Sequence, residues 1–236
     1  MTPGTRSLLE IACFSPEALL VAAKAGAHRL EYCSSYANGG CSPHPGSLEP
    51  IRPLLPCPVR VMIRCRGGDF VYTGGELLAM RNQLRCWADE GADGWVAGCL
   101  TPSGLPDVEG ILSIQQGAPG LPLTFHRAFD RCTDPLTALD MLINMGCTHL
   151  LTAGIHPGGA SEGTDCIRQY CDYAGQRIRI MAGGGIRRHN ISRIFGVLGA
   201  SADYHSAAVV ASDLGMNDGD PLPDPLEVKE MINILL

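Results

Sequence analysis

No CxxC pair occurs anywhere in the chain, no apolar run approaches the length of a membrane span, and acidic residues outnumber basic ones. The first absence removes the usual zinc-finger spacings. The eleven cysteines are scattered and odd in number. A chain of 236 residues can bury its own core without disulfides, so reduced buried thiols acting as small hydrophobes are expected. Apolar stretches such as PEALLVAAKAGA break well short of the ~20 residues a span needs. Glu10 interrupts the apolar stretch near the start, so no secretory signal is expected and the expected location is cytoplasmic. The net charge of −6 provides no basic face for nucleic-acid phosphates. No linker or low-complexity stretch divides the chain, which points to a single domain over residues 1–236.

What is present is an alternation. Short β-rich runs end in polar or glycine residues and are followed by helical stretches. The runs are SLLEIA (7–12), HRLEYC (28–33), VRVMIR (59–64), GWVAGC (94–99), LPLTFH (121–126), HLLTAG (149–154), IRIMAG (178–183) and ADYHSA (202–207). Helices are predicted over 15–25, about 47–55, 75–90, 107–117, 134–145, 162–175, 189–198 and 225–235. Ser15-Pro16-Glu17, Asp134-Pro135 and Asp224-Pro225 read as helix starts: a capping oxygen, then a proline where no N–H is needed. AGA (25–27), EGAD (90–93) and MGC (145–147) place glycine where helices close. Eight such units imply an α/β fold, a (β/α)8 TIM-type barrel. An open doubly wound sheet would more often carry a glycine-rich turn after its first strand, where this chain has CFSP. The irregular stretches 34–46 and 211–224 are expected to be loops, the second of them mobile.

Strand alternation then sorts the side chains. Alternate residues of a barrel strand face the lumen, and the helix-facing set must be apolar. Leu9, Ile11, Leu30, Tyr32, Val61, Ile63, Leu123, Phe125, Leu151 and Tyr204 are assigned outward. Glu10, Glu31, Cys33, Met62, Arg64, Thr124, His126, Leu150, Thr152 and His205 are assigned inward. Glu10, Glu31, Arg64, His126 and His205 thus form a candidate catalytic pocket at the C-terminal ends of the strands. The competing reading is a closed ion-pair network, with Arg64 bridging Glu10 and Glu31. His126 or a glutamate would be the acid or base, and Arg127 and Asp130 would order the following loop. MAGGGI (181–186) exposes backbone N–H groups at the end of strand 7. Gly183, Gly184 and Gly185, with Arg66 from the second glycine turn RCRGGDF, are the candidate anion-binding set, the other reading of RCRGGDF being a salt-bridged lid. Cys33 and Cys65 end neighbouring strands, with Cys41 in the loop between, and soft thiolates suit Cu(I).

HRLEYCSSYANGGCSPHPG, VMIRCRGGDFVYT, LTFHRAFDRCTDPLTAL, LLTAG and IMAGGGI, in this order over about residues 8–208, resemble the CutC family, described as copper homeostasis proteins. The resemblance implies a TIM-type barrel, a cytoplasmic location and copper, as Cu(I), bound through cysteine. Cys33 matches the family's IELC motif, with Cys65 or Cys41 as partner. The chain departs from the family pattern where Cys65 replaces a proline, where Cys41 replaces a non-thiol, and where HSAAV replaces an HGSAR-like ending without its arginine. The expected partner is a metal ion or a small anionic ligand, with neither nucleic acid nor membrane; a homo-oligomer is compatible with all of this. An enzyme acting on a small acidic or phosphorylated metabolite is the alternative to copper binding.

Overall fold

The computed structural model describes residues 6–209 and 220–236. Eight parallel strands close into a barrel in sequence order: β1 Leu9–Cys13, β2 Arg29–Tyr32, β3 Val59–Met62, β4 Gly94–Ala97, β5 Leu123–Phe125, β6 His149–Thr152, β7 Arg179–Ala182 and β8 Asp203–Ser206. The register places Glu10 beside Arg29 on β2 and His205 on β8, so β1 closes the ring against the last strand. Among the described residues seven α-helices surround it: α1 Pro16–Lys24, α2 Gly74–Asp89, α3 Val108–Gln115, α4 Pro135–Asn144, α5 Thr164–Ala174, α6 Arg188–Leu198 and α7 Pro225–Leu235. The helix starts follow their local chemistry. Ser15, Asp134 and Asp224 each accept a backbone N–H of the first turn. Gly26, Gly91 and Gly146 carry the positive φ that ends a helix.

The helix predicted over about 47–55 is absent. Only a three-ten turn, Arg52–Leu54, forms there. Pro50, Pro53 and Pro56 explain this, since each lacks an N–H and restricts the residue before it. The stretch 211–219, expected to be loop, lies outside the described residues.

Two apolar layers result. The outer one packs Leu9, Ile11, Leu30, Val61, Ile63 and Phe125 against helix residues such as Leu19, Leu84, Ile111, Leu142, Ile194 and Met231. The inner one is small: Cys33, Met62 and Val96, with Phe14 at its edge. The inward assignments in β1, β2, β3, β5 and β8 hold, but β6 runs the other way. Leu150 packs in the outer core and Leu151 faces the lumen. His149, which lies on the same side as Leu151, meets Arg29 inside the barrel. Thr152 is therefore not a lumen residue; its hydroxyl donates to Asp130 behind the strand. Apolar content could not set the parity of β6, because Leu150 and Leu151 fit either face.

Candidate active site

The floor of the lumen is an ion-pair network. Arg29 Nε donates to Glu10 Oε2 at 2.5 Å, and Glu10 Oε1 meets His205 Nδ1 at 2.8 Å. Arg29 also reaches His149 Nε2 at 3.2 Å and the Met181 sulfur at 3.2 Å, and lies 3.8 Å from Asp203. Asp203 is paired with Arg179 at 2.8 Å, and Arg60 donates to the Thr124 hydroxyl. Burial works to raise the Glu10 carboxyl, but Arg29 and then His205 overturn it and hold the group well below the usual carboxylate range. Burial disfavours the His205 imidazolium, yet Glu31 and Glu10 carry its pKa above the ordinary value. His149 has no such support: burial, with Arg60 and Arg29 nearby, lowers it to about 3. Arg29, and not Arg64, is the partner of Glu10, so the Arg64 bridge of the competing reading does not form.

Above this floor a cavity of about 410 Å³ opens at the C-terminal ends of the strands. Its walls include Ala12, Phe14, Cys33, Met62, Phe70 and Leu151, and its polar groups come from Glu31, Arg64, His126, Arg127, Gly184, Gly185, Arg187 and His205. Three side-chain atoms of the lining residues are buried and have no partner among the described residues: Glu31 Oε1, His126 Nε2 and Arg64 Nε, the last on a guanidinium whose amino groups are engaged. Polar atoms left in that state are costly unless something else engages them. Burial raises the Glu31 carboxyl, while His205, whose Nε2 lies 3.6 Å from Glu31 Oε2, works against the rise.

The state of His126 follows from its neighbours. Its Nδ1 accepts the Ala128 N–H at 3.1 Å, which leaves the proton of the neutral ring on Nε2. Burial, with Arg64 close by, lowers its pKa to about 3, so the ring stays neutral across physiological pH. His126 is therefore a fixed N–H donor rather than the acid or base expected of it. Gly98 makes room for the ring: a Cβ there would lie 2.3 Å from His126 Nδ1.

Gly184 and Gly185 form the other end, with φ of +100° and +80°. Their N–H groups donate to no partner among the described residues. Arg127 stands over this turn: its guanidinium carbon would be 3.2 Å from a Cβ at Gly184. Asp130 holds Arg127 Nε at 2.8 Å, and the amino groups of the guanidinium remain available. Arg187 is engaged by the Val209 and Ile186 carbonyls and Ser206.

Several sequence-derived assignments change. Arg66 does not line the cavity. It is tied to Glu76 at 2.5 Å, Asp69 at 3.0 Å and the Val71 carbonyl, closing its own loop. Arg127, assigned only to loop order, stands in its place. Gly183 is a packing position: its N–H is bonded to Thr152, and a Cβ would meet Leu151 at 2.5 Å. Arg64 does reach the cavity, but its amino groups hold the Asn38, Gly40 and Gly68 carbonyls and its guanidinium stacks over Phe70. It shapes the mouth. Cys33 faces the lumen beside Met62, whereas Cys65 packs against the outer core. Sequence reading missed Arg29, Arg60, His149 and Asp203. Extending the alternation two residues back from Glu31, Met62, Leu151 and His205 would have found them.

A closed eight-stranded barrel with a polar cavity at the C-terminal mouth defines the TIM-type barrel proteins that keep ligand sites at that end. The chain belongs to the CutC family, whose model matches residues 7–209. It is 41% identical over 213 residues to the mouse copper homeostasis protein cutC homolog, covering 90% of this chain and 78% of the mouse protein. It is 40% identical to the human homolog, over 89% of this chain and 76% of that one. The solved structure of a CutC protein from Streptococcus agalactiae superposes with a TM-score of 0.79 at 32% identity, covering 84% of this chain and 98% of the other. Thiamine phosphate pyrophosphorylase from Pyrococcus furiosus, at 16% identity and a TM-score of 0.60, shares the fold alone.

Proposed function

We infer that the cavity binds a small anionic metabolite and that Glu31 and His126 act on it. The observation that carries this reading is the pair of buried, unpartnered atoms, Glu31 Oε1 and His126 Nε2, in one cavity. A structural network would pair such atoms; a ligand site keeps them open. The free N–H groups of Gly184 and Gly185 and the Arg127 guanidinium supply an anion end. The reading is tested by adding inorganic phosphate to the purified protein. Phosphate at ten times its dissociation constant adds about 1.4 kcal/mol, which raises Tm by roughly 3–5 °C for a chain of this size. Arg127→Ala removes most of the rise. No rise, with no heat of binding by calorimetry, contradicts the reading.

A second reading is Cu(I) binding, in keeping with the copper homeostasis name of the mouse and human relatives. The observation that favours it is local: the Cys33 thiol and the Met62 thioether share the small inner cluster, and both are soft donors. Cys65 is not part of that cluster, and among the described residues no group of three or more His, Cys, Asp or Glu side chains could hold a metal. Burial, with Glu31 alongside, pushes the Cys33 thiol well above its usual range, so Cu(I) would have to displace a firmly held proton. Competition titration of the reduced protein with Cu(I), repeated on Cys33→Ser and Cys65→Ser, decides it: equal affinity in all three removes the reading. A cytoplasmic location fits both readings, because eleven free thiols suit a reducing compartment.

A further inference from the structure

The reading of the cavity as a metabolite site can be taken to a reaction class, because its three polar parts differ in kind. One is a neutral imidazole that can only donate: His126 Nδ1 is occupied by the Ala128 N–H, and Nε2 is buried, unpartnered and lines the cavity. Such a donor cannot protonate a leaving group readily, but it suits an oxygen on which negative charge develops. The second is a carboxyl with one free oxygen. Glu31 Oε2 is flanked by the Cys33 thiol at 3.4 Å and His205 Nε2 at 3.6 Å, while Oε1 is open. The third is the anion end at Gly184, Gly185 and Arg127. Base, oxyanion donor and anion anchor together are the minimum set for removing a proton from carbon next to a carbonyl.

We propose that this cavity catalyses reversible enolisation of a small phosphate-bearing carbonyl compound, with Glu31 as the base and His126 as the oxyanion donor. The Glu31 carboxylate takes the proton from the carbon beside the carbonyl. The C–H electron pair becomes the C=C bond, and the carbonyl π pair moves to oxygen, where it accepts the His126 Nε2–H hydrogen bond. The reverse step returns the proton from Glu31 to carbon. Nothing is oxidised or reduced overall, and no co-reactant is needed. Glu10 and His205 are positioning residues. Glu10, charged against Arg29, holds His205 Nδ1, and the imidazolium so fixed lies beside Glu31 and favours its carboxylate. The charged and titratable groups that share the cavity with Glu31 are His205 from β8, Cys33 and Tyr36 after β2, Arg64 after β3, His126 and Arg127 after β5 and Arg187 after β7; those of the floor are Glu10 from β1, Arg29 from β2, Arg60 from β3, His149 from β6, Arg179 from β7 and Asp203 from β8.

The proposal rests on the anion-site reading, and one comparison separates the two. Inorganic phosphate and 2-phosphoglycolohydroxamate, a stable mimic of a phosphate-bearing enediolate, are titrated into the wild-type protein by calorimetry. The hydroxamate is expected to bind at least tenfold more tightly than phosphate. Glu31→Gln and His126→Ala, each shown to be folded by its melting transition, are expected to bring that ratio close to one. His205→Gln is expected to move the onset of hydroxamate preference to higher pH, because Glu31 then loses the cation that favours its charge; a merely structural histidine would leave the pH profile in place. Phosphate binding with a wild-type ratio near one overturns enolisation and leaves the anion site standing. No binding of either ligand overturns both. A preference that survives Glu31→Gln overturns the assignment of the base.

Discussion

His126 shows how one hydrogen bond sets the chemistry of a residue. The Ala128 N–H fixes the tautomer, and burial, with Arg64 close by, keeps the ring neutral down to about pH 3. An unfolded histidine titrates near 6.5. The unfolded chain therefore binds a proton in the window between these values that the folded chain does not. The stability from keeping His126 neutral is complete above about pH 6.5 and declines as pH falls toward 3. Between pH 7 and pH 5 the loss is about 2 kcal/mol. His126→Gln has no such proton to take up, so its unfolding free energy in urea should fall by about 2 kcal/mol less over that interval. An equal fall in both proteins would show that His126 titrates normally when folded. Strand alternation was enough to turn His126 inward. Its tautomer was not legible, because it depends on where the Ala128 N–H points after the strand ends.

At the scale of elements, the three-ten turn Arg127–Arg131 after β5 is fastened to the end of β6 by one carboxylate. Asp130 accepts from the Thr152 hydroxyl at 2.5 Å, from the Ala153 N–H at 3.1 Å and from Arg127 Nε at 2.8 Å. It thereby positions Arg127 over the glycine turn. Asp130→Ala leaves these donors without their acceptor, at a cost of about 3 kcal/mol. That corresponds to a fall in Tm of roughly 6–12 °C. Phosphate affinity should fall with it, measured below the lowered transition. A Tm within about 2 °C of wild type would show that the fastening is incidental. The eight strands and seven of the eight helices could be read from the sequence, with capping residues marking the starts of α1, α4 and α7. The stretch 47–55 failed because its prolines outweighed its apolar spacing. Parity failed in β6, where adjacent leucines carry no directional information and only His149 distinguishes the two faces. Arg66 and Arg127 exchanged expected roles because both follow strands, and only tertiary partners, Glu76 for one and the glycine turn for the other, separate them.

Across the whole molecule, charge inside the barrel is layered. The floor pairs Arg29, Arg179 and His205 with Glu10 and Asp203, and Arg60, held by the Thr124 hydroxyl, adds a further positive charge. Among the described residues, the cavity above leaves Glu31 Oε1, His126 Nε2 and Arg64 Nε without a partner. Ion pairs buried in this way are seldom retained for stability, since packed apolar side chains can replace them with little loss. Their arrangement here instead carries the effect of Arg29, through Glu10 and His205, up to Glu31. The sequence revealed that polar side chains converge on one lumen, but not which would be paired and which left open. That division depends on register, which sets Glu10 beside both Arg29 and His205. The most direct test is side-chain nitrogen NMR of the histidine-labelled protein from pH 7.5 to pH 5. The account predicts that His126 stays neutral throughout with its proton on Nε2, while His205 keeps its second proton to a higher pH than an ordinary histidine. A His126 that titrates near 6.5, or that holds its proton on Nδ1, would contradict it.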